Sequence, residues 1–599
     1  MLGKRSDQGN MFSADVQHLE FVGEDSFYGF LSRHGRQLFG DEDFGCIYCA
    51  DNGRKSVPPS LLAIALLLQS HDRVSDQEAK HRADYDLRWK VALGLEIEER
   101  PFAKSTLQEF RAQLVIHEKA RAIFLGGMEH IRGLGYVKKT KRVRAALDTG
   151  AVLGRGAVLD TYNLIAEGIR KLAGALAGAE DQPLAEWLAG HELARYGQPS
   201  IKGTAEVDWE DAGSRETFLS GLIEDGERTL ELARQARCKL EPDCEADGRI
   251  AQAAQLLERL LWQDVEPGER GYRIAKGTAR DRIPSAHDPE QRHGHKSRSN
   301  RFTGHKAGVA VDPQSQLITA VGVLPGNAPD GELARELVEQ TEANTGLEVE
   351  QVIGDTAFGS MAVRQELGDR EVIAPTVKPH RPGRITKADF EIDLEAEVVR
   401  CPEGHTTREW RWVWAKSGAK GSKVRTKRFA FPKQVCRACA RYEQCVGDKR
   451  RPGRFVELHP QEQELQQARA LEQTEYFRRQ YRQRMAAEHR IARLMQLGMR
   501  QARYVGRAKT LLQLTLAATV ANLTLVAGRL ATRDSEGGPS VARERLFLRF
   551  WGSSALRCGA FAARAVIVGP LRLFSTHNAS IPTPLRGICL SPAASMAPL

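Results

Sequence analysis

Between residues 476 and 509 the chain carries ten Lys or Arg side chains and a single carboxylate, Glu488. This segment lacks Pro, has Gly only at 498 and 506, and is rich in Arg, Gln, Ala, Leu and Met, a composition that predicts helix. On a helix Tyr481, Arg484 and Glu488 follow one another at intervals of three and four residues and share one face. Two readings fit that face. It is either a solvated surface of local ion pairs, or a site where the cations hold phosphates and Glu488 holds a divalent metal. The second reading requires two more carboxylates, each at the end of a strand.

Composition narrows the class. A chain of 599 residues, 41% of them hydrophobic, can build several domains with large cores. The formal charge of +10 favours a polyanionic partner, nucleic acid first. Residues 1–17 are polar and charged, without a secretory signal, so a cytoplasmic protein is expected. The uncharged run 510–528 includes Gln513, Thr515, Thr519, Asn522 and Thr524, which points to a buried core helix and away from a membrane span. Ten Cys residues in a reducing compartment point to metal ligands or free thiols, not a disulfide framework.

Residues 1–130 predict an all-helical domain, with an apolar helix over 60–70 started at Pro58 and Pro59 and a charged one over 76–95 capped near Ser75. Short helices of this kind suit either a DNA-reading domain or a plain bundle. Cys46 and Cys49 form an isolated C-x-x-C, a weak metal signal. A basic run at 138–144 feeds a short apolar strand that ends on Asp148, the first candidate acid. The glycines that follow predict a flexible turn, and an amphipathic helix is expected over 161–176. Residues 180–285 predict a helical insertion, with Cys238 and Cys244 as buried thiols. The Arg- and His-rich stretch 275–306 predicts a phosphate-gripping loop, before a hairpin over 306–312 and 317–325 and a helix over 330–343. A buried strand over 350–356 then terminates at Asp355, the second candidate acid. The insertion 378–453 holds Cys401, Cys436, Cys439 and Cys445, with His405 nearby, at spacings that can close a zinc-ribbon-like tetrahedral site. The order of elements leaves a mixed α/β core once the insertions are set aside.

These residues resemble the DDE transposases of prokaryotic insertion sequences, in the branch marked by a Tyr, Arg, Glu and Lys signature. The resemblance runs over about 44–530 and rests on Ala146-Leu147-Asp148-Thr149, residues 156–162, Phe302-Thr303-Gly304-His305-Lys306, Gly354-Asp355-Thr356-Ala357-Phe358-Gly359, Tyr481 and Arg484 with Glu488, and Ala502-Arg503-Tyr504-Val505-Gly506. It implies a ribonuclease-H-like catalytic domain over 138–530, with Asp148, Asp355 and Glu488 binding two Mg²⁺ or Mn²⁺ ions. It also implies DNA contacts from Tyr481, Arg484, His305, Lys306 and Arg493, strand cleavage and transfer at element ends, and a homodimer on DNA in the nucleoid. Rival readings are an inactive transposase-derived DNA-binding protein and a ribonuclease-H-like nuclease without strand transfer. The signature lysine, due seven residues after Glu488, is replaced by Met495, so a terminal-base or phosphate contact is either missing or supplied by Arg493 or Arg500. Residues 532–599 predict a disordered tail outside the resemblance, with Cys558 and Cys589 playing no part in a site.

Overall fold

The computed structural model describes residues 1–6, 11–49, 52–137, 141–296, 299–377, 383–416, 423–447 and 453–535. The expected tail lies outside the described residues from 536 onward, Cys558 and Cys589 included.

Seven helices open the chain: α1 (Ala14–Val22), α2 (Phe27–Leu38), α3 (Pro59–Asp72), α4 (Asp76–Tyr85), α5 (Leu87–Leu93), α6 (Lys104–Ile116) and α7 (Ala120–Gly133). Pro59 occupies the first position of α3, where its missing N–H has no partner to lose, and the Ser75 hydroxyl accepts from the Glu78 N–H to start α4. The segment expected as one helix over 76–95 is two. Asp86 leaves helical geometry and caps α5, accepting from the Arg88 N–H at 3.0 Å.

β1 (Arg142–Leu153) follows, then the helical insertion α8 (Thr161–Ala179), α9 (Leu184–Gly190), α10 (Ile201–Thr204), α11 (Ala212–Arg237) and α12 (Glu245–Trp262), closed by the hairpin β2 (Val265–Pro267) and β3 (Tyr272–Ile274). This insertion has its own core around Trp187 and Tyr196. Its thiols correct the expectation of burial: Cys238 is exposed, and Cys244 is half-buried as the cap of α12. The stretch 275–306 is also not simply a loop, because it contributes β4 (Arg292–His295) and the start of β5 (Arg301–Val311).

β6 (Ile318–Pro325), α13 (Ala334–Thr345), β7 (Glu348–Ile353), α14 (Met361–Glu366) and β8 (Glu371–Ile373) complete a curled mixed sheet of order β4-β5-β1-β7-β8, with β6 also on β5. β1, β5 and β6 run antiparallel, while β7 and β8 run parallel to β1. β1 does not stop at Asp148. It continues through Gly150 and Ala151 because β5 pairs with it along its length, from Ala146↔Val311 to Leu153↔Gly304.

The cysteine-bearing insertion contains β9 (Glu391–Asp393), β10 (Val398–Arg400), β11 (Thr406–Thr407), β12 (Trp410–Lys416), β13 (Lys423–Ala430), α15 (Lys433–Ala438), α16 (Tyr442–Cys445) and β14 (Phe455–Leu458). From it α17 (Glu462–Glu472) returns the chain to the sheet, followed by α18 (Glu475–Tyr481), α19 (Met485–Leu494) and α20 (Arg507–Ser535). The single helix expected over 476–509 is therefore broken twice. Arg482–Arg484 forms a tighter 3-10 turn, and after a π turn at Met495–Met499 the positive φ of Gly498 (95°) and Gly506 (92°) carries the chain out of helix.

The helices of residues 1–130 do not form a core of their own. Leu66 on α3, Val309 on β5, Ile353 on β7 and Leu516 on α20 belong to one continuous hydrophobic cluster. The Arg111 guanidinium binds both oxygens of Asp76 (2.9 and 2.7 Å) and lies 4.8 Å from the Tyr504 ring centre, while Arg503 reaches Asp76 at 3.3 Å. α20 is long and apolar enough to cross a membrane, but 72% of its most apolar window is buried in the protein. It is the core helix expected over 510–528. Asn522 on this helix accepts from the Ile318 N–H (2.9 Å) and donates to the Ile318 carbonyl (2.7 Å), completing the edge of β6. Leaving those buried groups unpaired costs roughly 2–4 kcal/mol. Asn522→Ala should lower unfolding stability by that amount in denaturant titration, whereas a loss below about 0.5 kcal/mol would mean that the edge is held otherwise.

Candidate active site

Register brings the first two acids together. Ala146 on β1 pairs with Ile353 on the parallel strand β7, so Asp148 and Asp355, each two residues further on, leave adjacent strands at the same level. Their alternation matches that of Ala146 and Ile353, which face the cluster shared with α19 and α20. α19 lies against β1 closely enough that a Cβ on Gly150 would meet Met495 Cε at 2.8 Å and Ile491 Cγ2 at 3.2 Å. A glycine there lets the helix approach and carry Glu488 over the sheet.

The turn before α19 is pinned to the strands. Arg144 on β1 donates to Gln483 at 3.1 Å, and the Tyr476 hydroxyl bonds Glu371 on β8 (2.8 Å) and Gln351 on β7 (3.1 Å). Tyr481 stacks on Phe477 with ring centres 5.6 Å apart, and the Arg484 guanidinium stands 5.5 Å from the Tyr481 ring centre. Arg484 also donates to Glu488, one turn on.

Asp148, Asp355, Glu488 and Arg484 line one open cleft of about 740 Å³, together with Lys306, Asp330, Met495, Arg500, Lys296 and Arg301. Asp148 accepts from the Thr149 N–H at 2.8 Å, and Asp355 accepts from the Ala357 N–H at 2.9 Å. Burial pushes the Asp148 carboxyl up to about 6, and the charges of Asp355 and Glu488 push the same way against Arg484 and the Thr149 N–H. The three acids thus sense one another electrostatically. Among the described residues, however, no three His, Cys, Asp or Glu side chains stand close enough to hold a metal ion as they lie. The donor chemistry fits a hard divalent cation, because carboxylate oxygens are the ligands such ions prefer. Glu488, in turn, is engaged by Arg484.

The expected DNA contacts divide. Tyr481 and Arg484 stand beside the acids, and Lys306 lines the cleft while bonding Asp330 (2.6 Å) and the Ala328 carbonyl (2.8 Å). His305 leaves the strand on the other side, is fully buried, and faces Asp288 at 3.5 Å, so it is no surface for DNA. Arg493 is not on the cleft wall and donates to Gln496 at 3.3 Å; Arg500 is the cation that lines the cleft near Met495. The chain after Gly498 runs back along β1, with the Leu153 N–H bonded to the Arg500 carbonyl (3.0 Å), which fixes that arginine there. Sequence reading also missed Asp330, whose only signal was the turn preceding α13.

Cys401, Cys436, Cys439 and Cys445 line a separate small cavity of about 30 Å³, with His405 beside them. Burial raises the Cys445 thiol, as do the other three cysteines against Arg454. Cys46 and Cys49 are exposed.

The mixed sheet and the helix that crosses it thus bring carboxylates from two adjacent strands and one helix into a cleft rimmed by cations. Residues 400–527, which include Glu488, match the family model described as Transposase DDE domain, and residues 17–113 match the Transposase domain (DUF772). The two matches support a DDE transposase of insertion-sequence type. No curated protein and no solved structure matches the chain.

The native Asp148 carboxyl keeps its proton up to about pH 6, while an unfolded aspartate releases it near 3.8. The resulting stability is present in full below the lower value and is lost as pH rises through the upper one. Measured by thermal melts in chelator, Asp148→Asn should be more stable than the parent by roughly 1–3 kcal/mol at pH 7.5, with the difference vanishing near pH 4. A difference independent of pH would contradict this account of the carboxyl.

Proposed function

We infer that this chain cuts DNA at the ends of a mobile element and joins those ends to target DNA. The observation that carries the reading is the convergence of Asp148, Asp355 and Glu488 on one cleft whose rim is cationic. The strand order β6-β5-β1-β7-β8, three antiparallel strands followed by two parallel ones, supports a ribonuclease-H-like core.

Asp148, Asp355 and Glu488 would hold two Mg²⁺ or Mn²⁺ ions, which supply activation of the attacking oxygen and stabilisation of the leaving one. Because the Asp148 carboxyl takes up a proton near pH 6, cation and proton compete for its oxygens. Arg484 shields the acids in the free protein and turns to a DNA phosphate when Glu488 is needed, with Tyr481 beside it. Arg500, Lys296 and Arg301 grip the backbone at the rim, and Asp330 holds Lys306 in place. Water attacks the phosphodiester at the element end and frees a 3′-hydroxyl. That hydroxyl then attacks a target phosphodiester in line: the new P–O bond joins the element end to the target's 5′ side as the target's own 3′-oxygen leaves. The attacking proton passes to solvent and the leaving oxygen takes one up, without a bond to the protein. Two ends joined in concert call for two copies of the chain on DNA.

One further reading has its own support. Met495 in place of the signature lysine, and Glu488 held by Arg484, favour a protein that binds DNA without cutting it. A cleavage and strand-transfer assay on end-containing DNA with Mg²⁺ separates the two. Asp148→Ala, Asp355→Ala and Glu488→Gln should each reduce cutting at least a hundredfold while changing DNA affinity less than about threefold. If the parent protein binds these ends but never cuts them, the binding-only reading stands.

The four cysteines around the cavity at Cys445 are proposed to hold a structural zinc ion. Metal analysis of reduced, folded protein should find about one zinc per chain, lost in a Cys436→Ser, Cys439→Ser double variant. Folded protein without stoichiometric zinc would remove this proposal.

A further inference from the structure

β12 reads Trp410, Trp412 and Trp414 at every second position, so the three indoles leave one face of the strand. In the antiparallel register Trp410 stands opposite Phe429, Trp412 opposite Lys427 and Trp414 opposite Arg425, which places both cations on the same face. At the base of the hairpin Trp410 and Phe429 pack into the core of the insertion. Further out the face leaves that core: Trp412 is 47% exposed and Trp414 68%. Apolar rings of this size are normally buried, and two neighbours left in water on one strand mark a contact surface.

The charges on this face select the occupant. The Arg425 guanidinium lies 4.5 Å from the Trp412 ring centre, and no carboxylate of the described residues pairs with it. Lys427 sits 4.5 Å from the Trp410 ring centre. The ladder opens onto a groove of about 490 Å³. The acids in that groove already have partners: Glu397 takes Lys427 and the Trp410 indole N–H, Glu462 takes Lys387, and Asp393 accepts from the backbone of Glu395 and Ala396. What remains open to a ligand is the Trp414 plane and the exposed part of Trp412, with Arg425 laid against the latter.

We propose that the Trp412, Trp414 and Arg425 face of the β12–β13 hairpin binds single-stranded DNA, with unpaired bases stacking on the indoles and phosphates meeting Arg425. Flat rings reward exposed base faces, which duplex DNA keeps stacked inside, whereas cations alone would serve either form. Arg425, with no carboxylate partner among the described residues, favours an anionic occupant, and nucleic acid supplies phosphates together with flat base faces. The proposal rests on the DNA-processing reading only for the identity of the polymer. The insertion returns through α17 and α18 to α19, the helix that carries Glu488.

The test uses the full chain and a fluorescein-labelled oligo(dT) 20-mer, with a duplex of equal length as control, both read by anisotropy in buffer without divalent metal. The Trp412→Ala, Trp414→Ala double variant should weaken oligo(dT) binding about tenfold or more and duplex binding less than twofold. Trp412→Phe, Trp414→Phe should recover most of the loss, which sets stacking apart from a folding defect. Arg425→Ala should weaken binding and lower its salt dependence. Unchanged oligo(dT) affinity in the alanine double variant overturns the proposal. So does an equal loss on duplex, or a change confined to self-association by sedimentation. Asp148→Ala should bind oligo(dT) like the parent. Failure to cut DNA with indole-dependent oligo(dT) binding intact therefore counts against the catalytic reading alone, and cutting with indole-independent binding counts against this proposal alone.

Discussion

Parallel pairing of β1 with β7 decides where the acids of the cleft can stand. Once Ala146 stands beside Ile353, two carboxylates more than two hundred residues apart in sequence must emerge side by side, and like charges in a half-buried place repel. The fold tolerates that repulsion because the surrounding apolar cluster is large and continuous. Helices from residues 1–130, one face of the sheet and α20 all contribute to it. The N-terminal helices therefore do more than append a module, since they help seat the helix that brings the third acid.

Charge balance explains the conformation of that third acid. Glu488 shares its cleft with Asp148 and Asp355, and Arg484, one helical turn away, supplies its counter-charge. The same arginine lies along Tyr481, so a ring and an acid share one guanidinium. An arriving divalent ion would make that guanidinium redundant and free it for phosphate. The rim needs no signature lysine to be cationic, because Arg500 is held at the cleft by backbone bonds to the end of β1 while Met495 packs against Gly150.

Much of the frame was legible in the sequence, and its failures have physical causes. The β5–β6 hairpin, the strand that ends before Asp355 and the proline-started helix α3 followed from period-two or capped patterns whose signals are local. Asp148 was read as a strand end because Gly150 and Ala151 have little strand preference; pairing with β5, a tertiary effect, carries the strand past them. The helix over 476–509 breaks where glycine takes positive φ, which composition permits but does not demand. His305 and Lys306 are neighbours in one motif, yet alternation sends one into the interior and the other to the cleft. Which goes where depends on register with strands far away in the chain. The indole ladder of β12 carries a plain period-two pattern that could have been read, but its exposure depends on how far the hairpin outruns its core.

In the proposed function Asp148, Asp355 and Glu488 form one cation site, completed when Arg484 releases Glu488. Anomalous scattering from crystals grown with Mn²⁺ tests it most directly. At least one strong peak is expected in the cleft at Asp148 and Asp355, with the Glu488 carboxylate turned away from Arg484 once DNA is bound. Manganese absent from the cleft, or bound there with Glu488 still paired to Arg484 in the DNA complex, would contradict it.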